Sequence, residues 1–252
     1  MKYYQNNVLN LINFLEVIEN TKIDSFVFSS SCTVYGVPDK IPVKEKAPIK
    51  LAFSPYGYTK QVGERVLTDF FKTKPNSSLT LLRYFNPIGA HPSGLIGELP
   101  IGVPSNLVPY ITQTGVGKRK KLTVFGKDYD TDDGTCVRDY IHVVDLANAH
   151  VASLKKGLNS SESIKIYNVG TGKGASVMDV VTAFEKVSNQ KLNYEFGPRR
   201  EGDVPEIYSD NELIKNELGW DAKFLLEDCL EHSWKWEKNL VNFKYKSEKK
   251  QD

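Results

Sequence analysis

Tyr56 and Lys60 stand four residues apart in the segment SPYGYTK, downstream of three consecutive serines, Ser29, Ser30 and Ser31. If the segment is helical, that spacing puts the phenol and the ammonium on one face. A tyrosine titrates near ~10 when unperturbed, too high for a base at neutral pH. A neighbouring lysine cation, or a cationic cofactor ring, favours the phenolate and draws that value down. Ser31, at the carboxyl end of a strand, reaches the same substrate hydroxyl, because ligands of open α/β sheets sit beyond those ends. Together these groups suit the movement of a proton while a hydride passes to a cofactor. A Tyr-x-x-x-Lys spacing alone is a common accident; the serine strand before it gives the pairing its weight.

The elements that must hold these groups alternate. Val8, Ile12, Leu15 and Ile18 recur at helical spacing and predict an amphipathic helix over 3–20. SFVFSSS (25–31) predicts a short strand, and prolines 38, 42, 48 and 55 mark the loop that follows. A helix from Tyr56 to about Lys72 and a buried strand LTLLRYF (79–85) come next. Further helices are predicted near 104–117, 144–156, 176–187, 211–218 and 226–240, with strands near 121–125, 164–169 and 192–196. Strands separated by helices point to an α/β fold with a largely parallel sheet.

Composition narrows the class. The 252 residues carry 33 Lys plus Arg against 31 Asp plus Glu, a formal net charge of +2, which argues against a nucleic-acid binder held by charge. Hydrophobic residues at 40% and charged residues at 25% fit an ordinary globule. No apolar run approaches the ~20 residues of a membrane span. Met1 to Asn20 mixes Asn, Gln and Glu with its aliphatics, unlike a secretory signal. Cys32, Cys136 and Cys229 lie far apart, which speaks against a disulfide framework and a Cys-x-x-Cys metal site. His91, His142, His150 and His232 are read as structural, since none pairs at ligand spacing with another His or Cys. The expectation is a cytoplasmic, metal-free globular protein without nucleic-acid or membrane partners.

Six segments then stand in order: SSSCTVYG (29–36), SPYGYTK (54–60), RYFNPIGAHPSG (83–94), PSNLVPY (104–110), DGTCVRDYIH (133–142) and REGD (200–203). Over about Tyr3 to Trp236 they closely resemble the UDP-glucose 4-epimerases of the extended short-chain dehydrogenase/reductase superfamily. The resemblance implies a Rossmann-like, doubly wound and mostly parallel sheet with a smaller C-terminal α/β substrate-binding region. It implies domains at 1–88 and 89–245, with about 138–170 packing back on the sheet and 246–252 a disordered tail. It also implies NAD as cofactor and a UDP-hexose as substrate, oxidised at carbon 4 to a 4-keto sugar that turns over before hydride returns to its other face. Tyr56 would be the base for the 4-hydroxyl, Ser31 or Thr33 would hydrogen-bond the sugar, and Lys60 would bind the nicotinamide ribose. Asn6, Ser29, Tyr56, Lys60 and Tyr84 are the implied cofactor contacts. Cys32, Tyr84, Phe85 and Asn86 would line the sugar and nicotinamide; Asn106 and Leu107 would touch diphosphate and uridine; Thr123, Val124 and Phe125 would flank the uracil. Arg138 and Arg200 suit a diphosphate because a guanidinium fork matches phosphate oxygens, and Asp203 suits a ribose hydroxyl. The other reading of each arginine is an ion pair with Asp139 or Glu201. Cys32 replaces the usual Ala, small for small. Ile207 matches a gate where a small side chain admits an N-acetyl group, so its intermediate bulk points to UDP-glucose and UDP-galactose as the main pair and leaves UDP-N-acetyl sugars open as further substrates. Family members commonly form homodimers through two helices, one bearing the residue matching Tyr56.

The family opens with a strand, Gly-x-Gly-x-x-Gly and a helix that cradle the NAD pyrophosphate; nothing like it precedes Tyr3. The chain therefore reads as lacking the first mononucleotide-binding half, with the expectation of poor NAD retention, impaired activity and an exposed sheet edge. Gly170-Thr171-Gly172-Lys173-Gly174 imitates the motif, and Glu195 falls near the place of its acid. It is set aside, because Ser176 and Asp179 read as a helix cap and its N3 acid. A nucleotide-sugar 4,6-dehydratase would carry Thr-Asp-Glu where Ser31-Cys32-Thr33 stand, and a related decarboxylase or carbon-5 epimerase would need further acid/base groups. A UDP-sugar-binding module without catalysis is the reading from another class.

Overall fold

SFVFSSS, SLTLLRY and IKIYNV each set apolar residues at adjacent positions (Phe26-Val27-Phe28, Leu81-Leu82, Ile166-Tyr167), which strand alternation turns to both faces, as parallel strands covered on both sides require. They form a three-stranded parallel sheet in the order Ser25–Ser31, Ser78–Tyr84, Ile164–Val169. The register sets Ser31 beside Tyr84 and Ser30 beside Arg83. This is a computed structural model, and it describes residues 1–159 and 163–248. Of the tail expected over 246–252, residues 246–248 end the last helix, Leu226–Glu248; 249–252 lie outside the described residues.

The chain divides into two compact units: Met1–Phe85, Leu146–Gly172 and Ile207–Asp221 in the first, Asn86–Asp145, Lys173–Glu206 and Ala222–Asp252 in the second. The first unit takes in 146–172 because Ile164–Val169 is the third strand of its sheet. It takes in 207–221 through a parallel bridge from Val43 to Ser209.

In the first unit the helix Pro55–Lys72 starts where Ser54 accepts the Gly57 N–H at 3.1 Å with Pro55 at the first helical position. Leu67 and Phe71 on its inner face join Leu15, Leu79 and Leu81 in one core cluster. Gly63 is required by close approach, since a Cβ there would lie 2.9 Å from the Phe28 ring. The opening helix runs as Lys2–Tyr4, a π-helical stretch Gln5–Leu9 and Asn10–Ile18. Its packed face is Leu11, Leu15 and Ile18. Ile12, expected on that face, is 38% exposed, because 11, 15 and 18 keep the true helical period and 12 falls a third of a turn away.

The second unit is built from short pairs that leave little periodic signal: Asn86–Ile88 with Tyr140–His142, Leu122–Phe125 with Tyr194–Gly197, and Val137–Arg138 antiparallel to Ala175–Ser176. The helices Leu107–Gly115, Val177–Ser188 and Leu226–Glu248 supply its core through Ile111, Val180, Phe184 and Leu230. Among the described residues no helix is long and apolar enough to cross a membrane, and no group of three or more His, Cys, Asp or Glu is placed to hold a metal.

His142 and His232, 90 residues apart, meet at 3.0 Å, a pairing that sequence spacing did not show. The Val144 N–H donates to His142 Nδ1 at 3.0 Å. Neutral His142 therefore carries its proton on Nε2 and donates to His232 Nδ1. Burial first, and His232 second, push His142 down to about 4. Because the folded value lies below the unfolded one, this contribution to stability is complete above pH ~6.5 and is lost as pH falls toward 4. The expected loss is about 3 kcal/mol at the acid limit, read as a fall in the urea midpoint between pH 7 and pH 4.5. The fall should shrink in His142→Gln; a midpoint with the same pH dependence in both chains would refute the assignment.

Candidate functional site

The carboxyl ends of two neighbouring strands in the first unit carry Ser29, Ser30, Ser31 and Tyr84. Extended backbone ends at Ser31, whose Oγ caps the 3-10 turn Cys32–Tyr35 and accepts from the Thr33 N–H at 3.3 Å and the Thr33 hydroxyl at 3.0 Å. Thr33 is thus tied to Ser31, and Cys32 is buried beside them. Lys60 donates from Nζ to the Ser29 carbonyl at 2.8 Å. Its ammonium lies 5.5 Å from the centre of the Tyr56 ring and 5.2 Å from that of Phe28. The sequence expectation that phenol and ammonium share a face is met in this geometry.

The sign expected for Tyr56 is not. Burial first, and Tyr84 second, push its phenol up to about 12, against a lowering hydrogen bond from Ser31. Burial also pushes Lys60 down. Counting the lysine charge without the desolvation of both groups gave the wrong direction. Burial likewise raises Tyr84, whose phenol contacts Ser29.

The remaining expected residues of this unit separate. Phe85 and Ile207 are buried in one cluster with Cys32, Val34, Tyr35 and Val43. Asn6 is exposed on the π-helical stretch, and the adjacent Asn7 makes the tie to the tyrosine helix, from Nδ2 to Thr59 Oγ1 at 2.9 Å. Residues the sequence left without a role also gather here: His150 against Ser29 at 2.9 Å, Glu64 under Ser30, and Tyr3, whose ring stands edge-on to Tyr56 at 5.9 Å.

In the second unit a cavity of about 460 Å³ collects the expected nucleotide-binding residues. Asn86, Asn106, Leu107, Thr123, Val124, Phe125, Arg138, Arg200 and Asp203 all line it. Asn106 stands at the start of helix Leu107–Gly115 without capping it, its Nδ2 donating to Glu98 at 3.1 Å. Among the described residues no side chain caps that helix, so the N–H groups of Leu107 and Val108 are left for another acceptor. Arg138 is held by the carbonyls of Val137 and Pro205 and pairs with Asp203 at 3.5 Å. The guanidinium of Arg200 lies 5.0 Å from the centre of the Phe125 ring. Leu122–Phe125 pairs along one edge with Tyr194–Gly197, and among the described residues no strand pairs along its other edge.

The glycine-rich segment is a turn. Gly172, at φ +74°, donates to Ser209 Oγ at 3.2 Å, and Ser176 and Asp179 form a reciprocal capping box on Val177–Ser188. Glu195 pairs with Lys121 at 2.6 Å on the surface.

Residues 1–170 match the model of the NAD dependent epimerase/dehydratase family. The UDP-glucose 4-epimerase of Bacillus subtilis (strain 168) is 51% identical over 242 residues, 96% of this chain and 71% of the relative. The crystal structure of UDP-glucose 4-epimerase from Bifidobacterium longum, in complex with NAD+ and UDP, superposes with a TM-score of 0.91 at 43% identity, over 96% of this chain and 71% of that one. The UDP-glucose-4-epimerase from Stenotrophomonas maltophila, with bound NAD and formylated UDP-arabinopyranose, gives 0.92 at 44% identity over the same shares. The chain belongs to the NAD dependent epimerase/dehydratase family, among its UDP-glucose 4-epimerases.

Proposed function

We propose that this chain interconverts UDP-glucose and UDP-galactose at carbon 4 of the hexose with NAD. The observation that carries the reading is the grouping of Tyr56, Lys60 and Ser31 at the strand ends, with Lys60 fixed on the Ser29 carbonyl. Lys60 fits the nicotinamide ribose: it is half-buried, no carboxylate among the described residues pairs with it, and one contact leaves two of its three N–H donors for hydroxyls. Bound NAD supplies the hydride acceptor for carbon 4 and a positive charge that favours the Tyr56 phenolate.

The chain's own groups move the proton. Tyr56 Oη takes it from the 4-hydroxyl and returns it to the same oxygen, which serves both epimers because they differ only in configuration at that carbon. Ser31, with Thr33 behind it, orients that oxygen. In the second unit the uncapped turn of Leu107–Gly115 and the guanidinium groups of Arg138 and Arg200 would hold the diphosphate. Asp203 would accept from a ribose hydroxyl, and Thr123, Val124 and Phe125 would flank the uracil.

Incubating the purified chain with UDP-galactose and excess NAD tests the reading; formation of UDP-glucose is the expected result. UDP-galactose bound without turnover would instead identify a binding module. Arg138→Ala is expected to weaken UDP binding about tenfold or more, as loss of a charge-assisted contact should. Calorimetry with UDP reads it, and an unchanged affinity would remove Arg138 from the diphosphate site.

A further inference from the structure

Ser29 is the point where three elements of the first unit converge. Its carbonyl accepts from Lys60, and its hydroxyl lies 2.9 Å from His150 Nε2 on the helix Val143–Gly157. The other ring nitrogen of His150, Nδ1, lies 2.8 Å from the Leu146 carbonyl one turn back. A carbonyl only accepts, so Nδ1 carries the ring proton, and in the neutral ring Nε2 is bare. The Ser29 hydroxyl must then donate to His150. With that hydrogen committed, the Ser29 oxygen is left as an acceptor for the phenol of Tyr84, which it contacts. The rings of Tyr84 and His150 pack with their centres 6.4 Å apart. Tyr84 is the register partner of Ser31 on the next strand, and Ser31 hydrogen-bonds the Tyr56 phenol.

We propose that His150 is a positioning residue of the epimerisation site: its bare Nε2 fixes the direction of the Ser29 hydroxyl and, through it, the phenol of Tyr84 beside Tyr56. The proposal rests on the functional reading above. Without an acceptor at this place, the Ser29 hydroxyl turns toward Tyr84, and the phenol proton of Tyr84 loses its single orientation. The cost then falls on the chemical step and spares nucleotide binding, whose proposed residues surround the cavity of the second unit.

Two variants separate positioning from mere filling of space. His150→Phe keeps the ring and removes both nitrogens, whereas His150→Gln sets an amide oxygen near the place of Nε2. With NAD in excess, His150→Phe is expected to lower kcat about tenfold, with KM for UDP-galactose and affinity for UDP unchanged, and His150→Gln to recover most of the loss. A wild-type kcat in His150→Phe, or equal losses in both variants, overturns the proposal. Nitrogen-15 spectra of the histidine rings give a readout free of turnover, also usable if His150→Phe fails to fold. His150 should show the Nδ1–H form, with an Nε2 signal that moves in Ser29→Ala; an Nε2–H form, or a signal indifferent to Ser29→Ala, overturns it. A wild-type chain that binds UDP-galactose without converting it defeats the functional reading alone, and the ring spectra then decide the role of His150.

Discussion

Tyr56→Phe is expected to lower epimerisation about 10²–10⁴-fold, the range lost when a positioned acid/base group is removed. The substitution deletes one oxygen and keeps the ring, so the edge contact of Tyr3 and the approach of Lys60 survive. The loss should appear in kcat, with UDP affinity unchanged, because the cavity lined by Arg138, Arg200 and Asp203 contains no part of Tyr56. A spectroscopic consequence accompanies it. Burial holds the Tyr56 phenol up to about 12, so in the chain without nucleotide it should still be protonated at pH 10, where an exposed tyrosine is half ionised. The difference in tyrosinate absorbance between wild type and Tyr56→Phe should therefore emerge only above that pH. Retention of more than a tenth of the wild-type kcat by Tyr56→Phe would assign the proton transfer to another group.

What the residues disclosed in advance were features set by local chemistry. The strand SFVFSSS, the helix opened by Ser54 and Pro55, and the cap at Ser176 and Asp179 follow from apolar runs, fixed φ and side-chain oxygens within three residues of their partners. The residues that line the second unit's cavity stood in the motifs, segment by segment, and folding brings those segments together. Long-range properties were not legible. Strands of two or three residues such as Val137–Arg138 are too short to show alternation. His142 and His232 come into contact across 90 residues, and His150 reaches Ser29 across 121. The direction of the Tyr56 shift depends on how deeply the phenol is buried, a quantity that spacing along a helix does not contain. Nothing local to Glu64 on its helix announces that Arg83 is buried opposite it.

That last pair carries the largest expected effect on stability. Arg83 is 3% exposed and Glu64 5%. The guanidinium grips the carboxylate with two bonds, 2.9 Å from Nε and 2.6 Å from Nη2. Ser30, the register partner of Arg83 on the next strand, donates to the same carboxylate. Nη1 reaches the Tyr35 hydroxyl at 3.1 Å and the Glu45 carbonyl at 3.2 Å, and the guanidinium lies 4.9 Å from the centre of the Tyr35 ring. Arg83→Met would leave the carboxylate of Glu64 buried without its counter-charge, and is expected to cost about 3–5 kcal/mol. The double change Arg83→Met with Glu64→Leu buries no charge, so most of that loss should return, since buried ion pairs often contribute little over apolar groups of similar volume. Urea denaturation of the two chains measures both figures; a single variant that costs less than about 1 kcal/mol would show the pair to be solvated after all. Activity should not follow stability. Glu64 lies one helical turn beyond Lys60, and Ser30 lies between Ser29 and Ser31, so the polar clamp ties the tyrosine helix to the strand end that carries the serines. The double variant should therefore regain its stability while kcat stays below wild type, because an apolar contact restores burial without restoring the direction that hydrogen bonds impose.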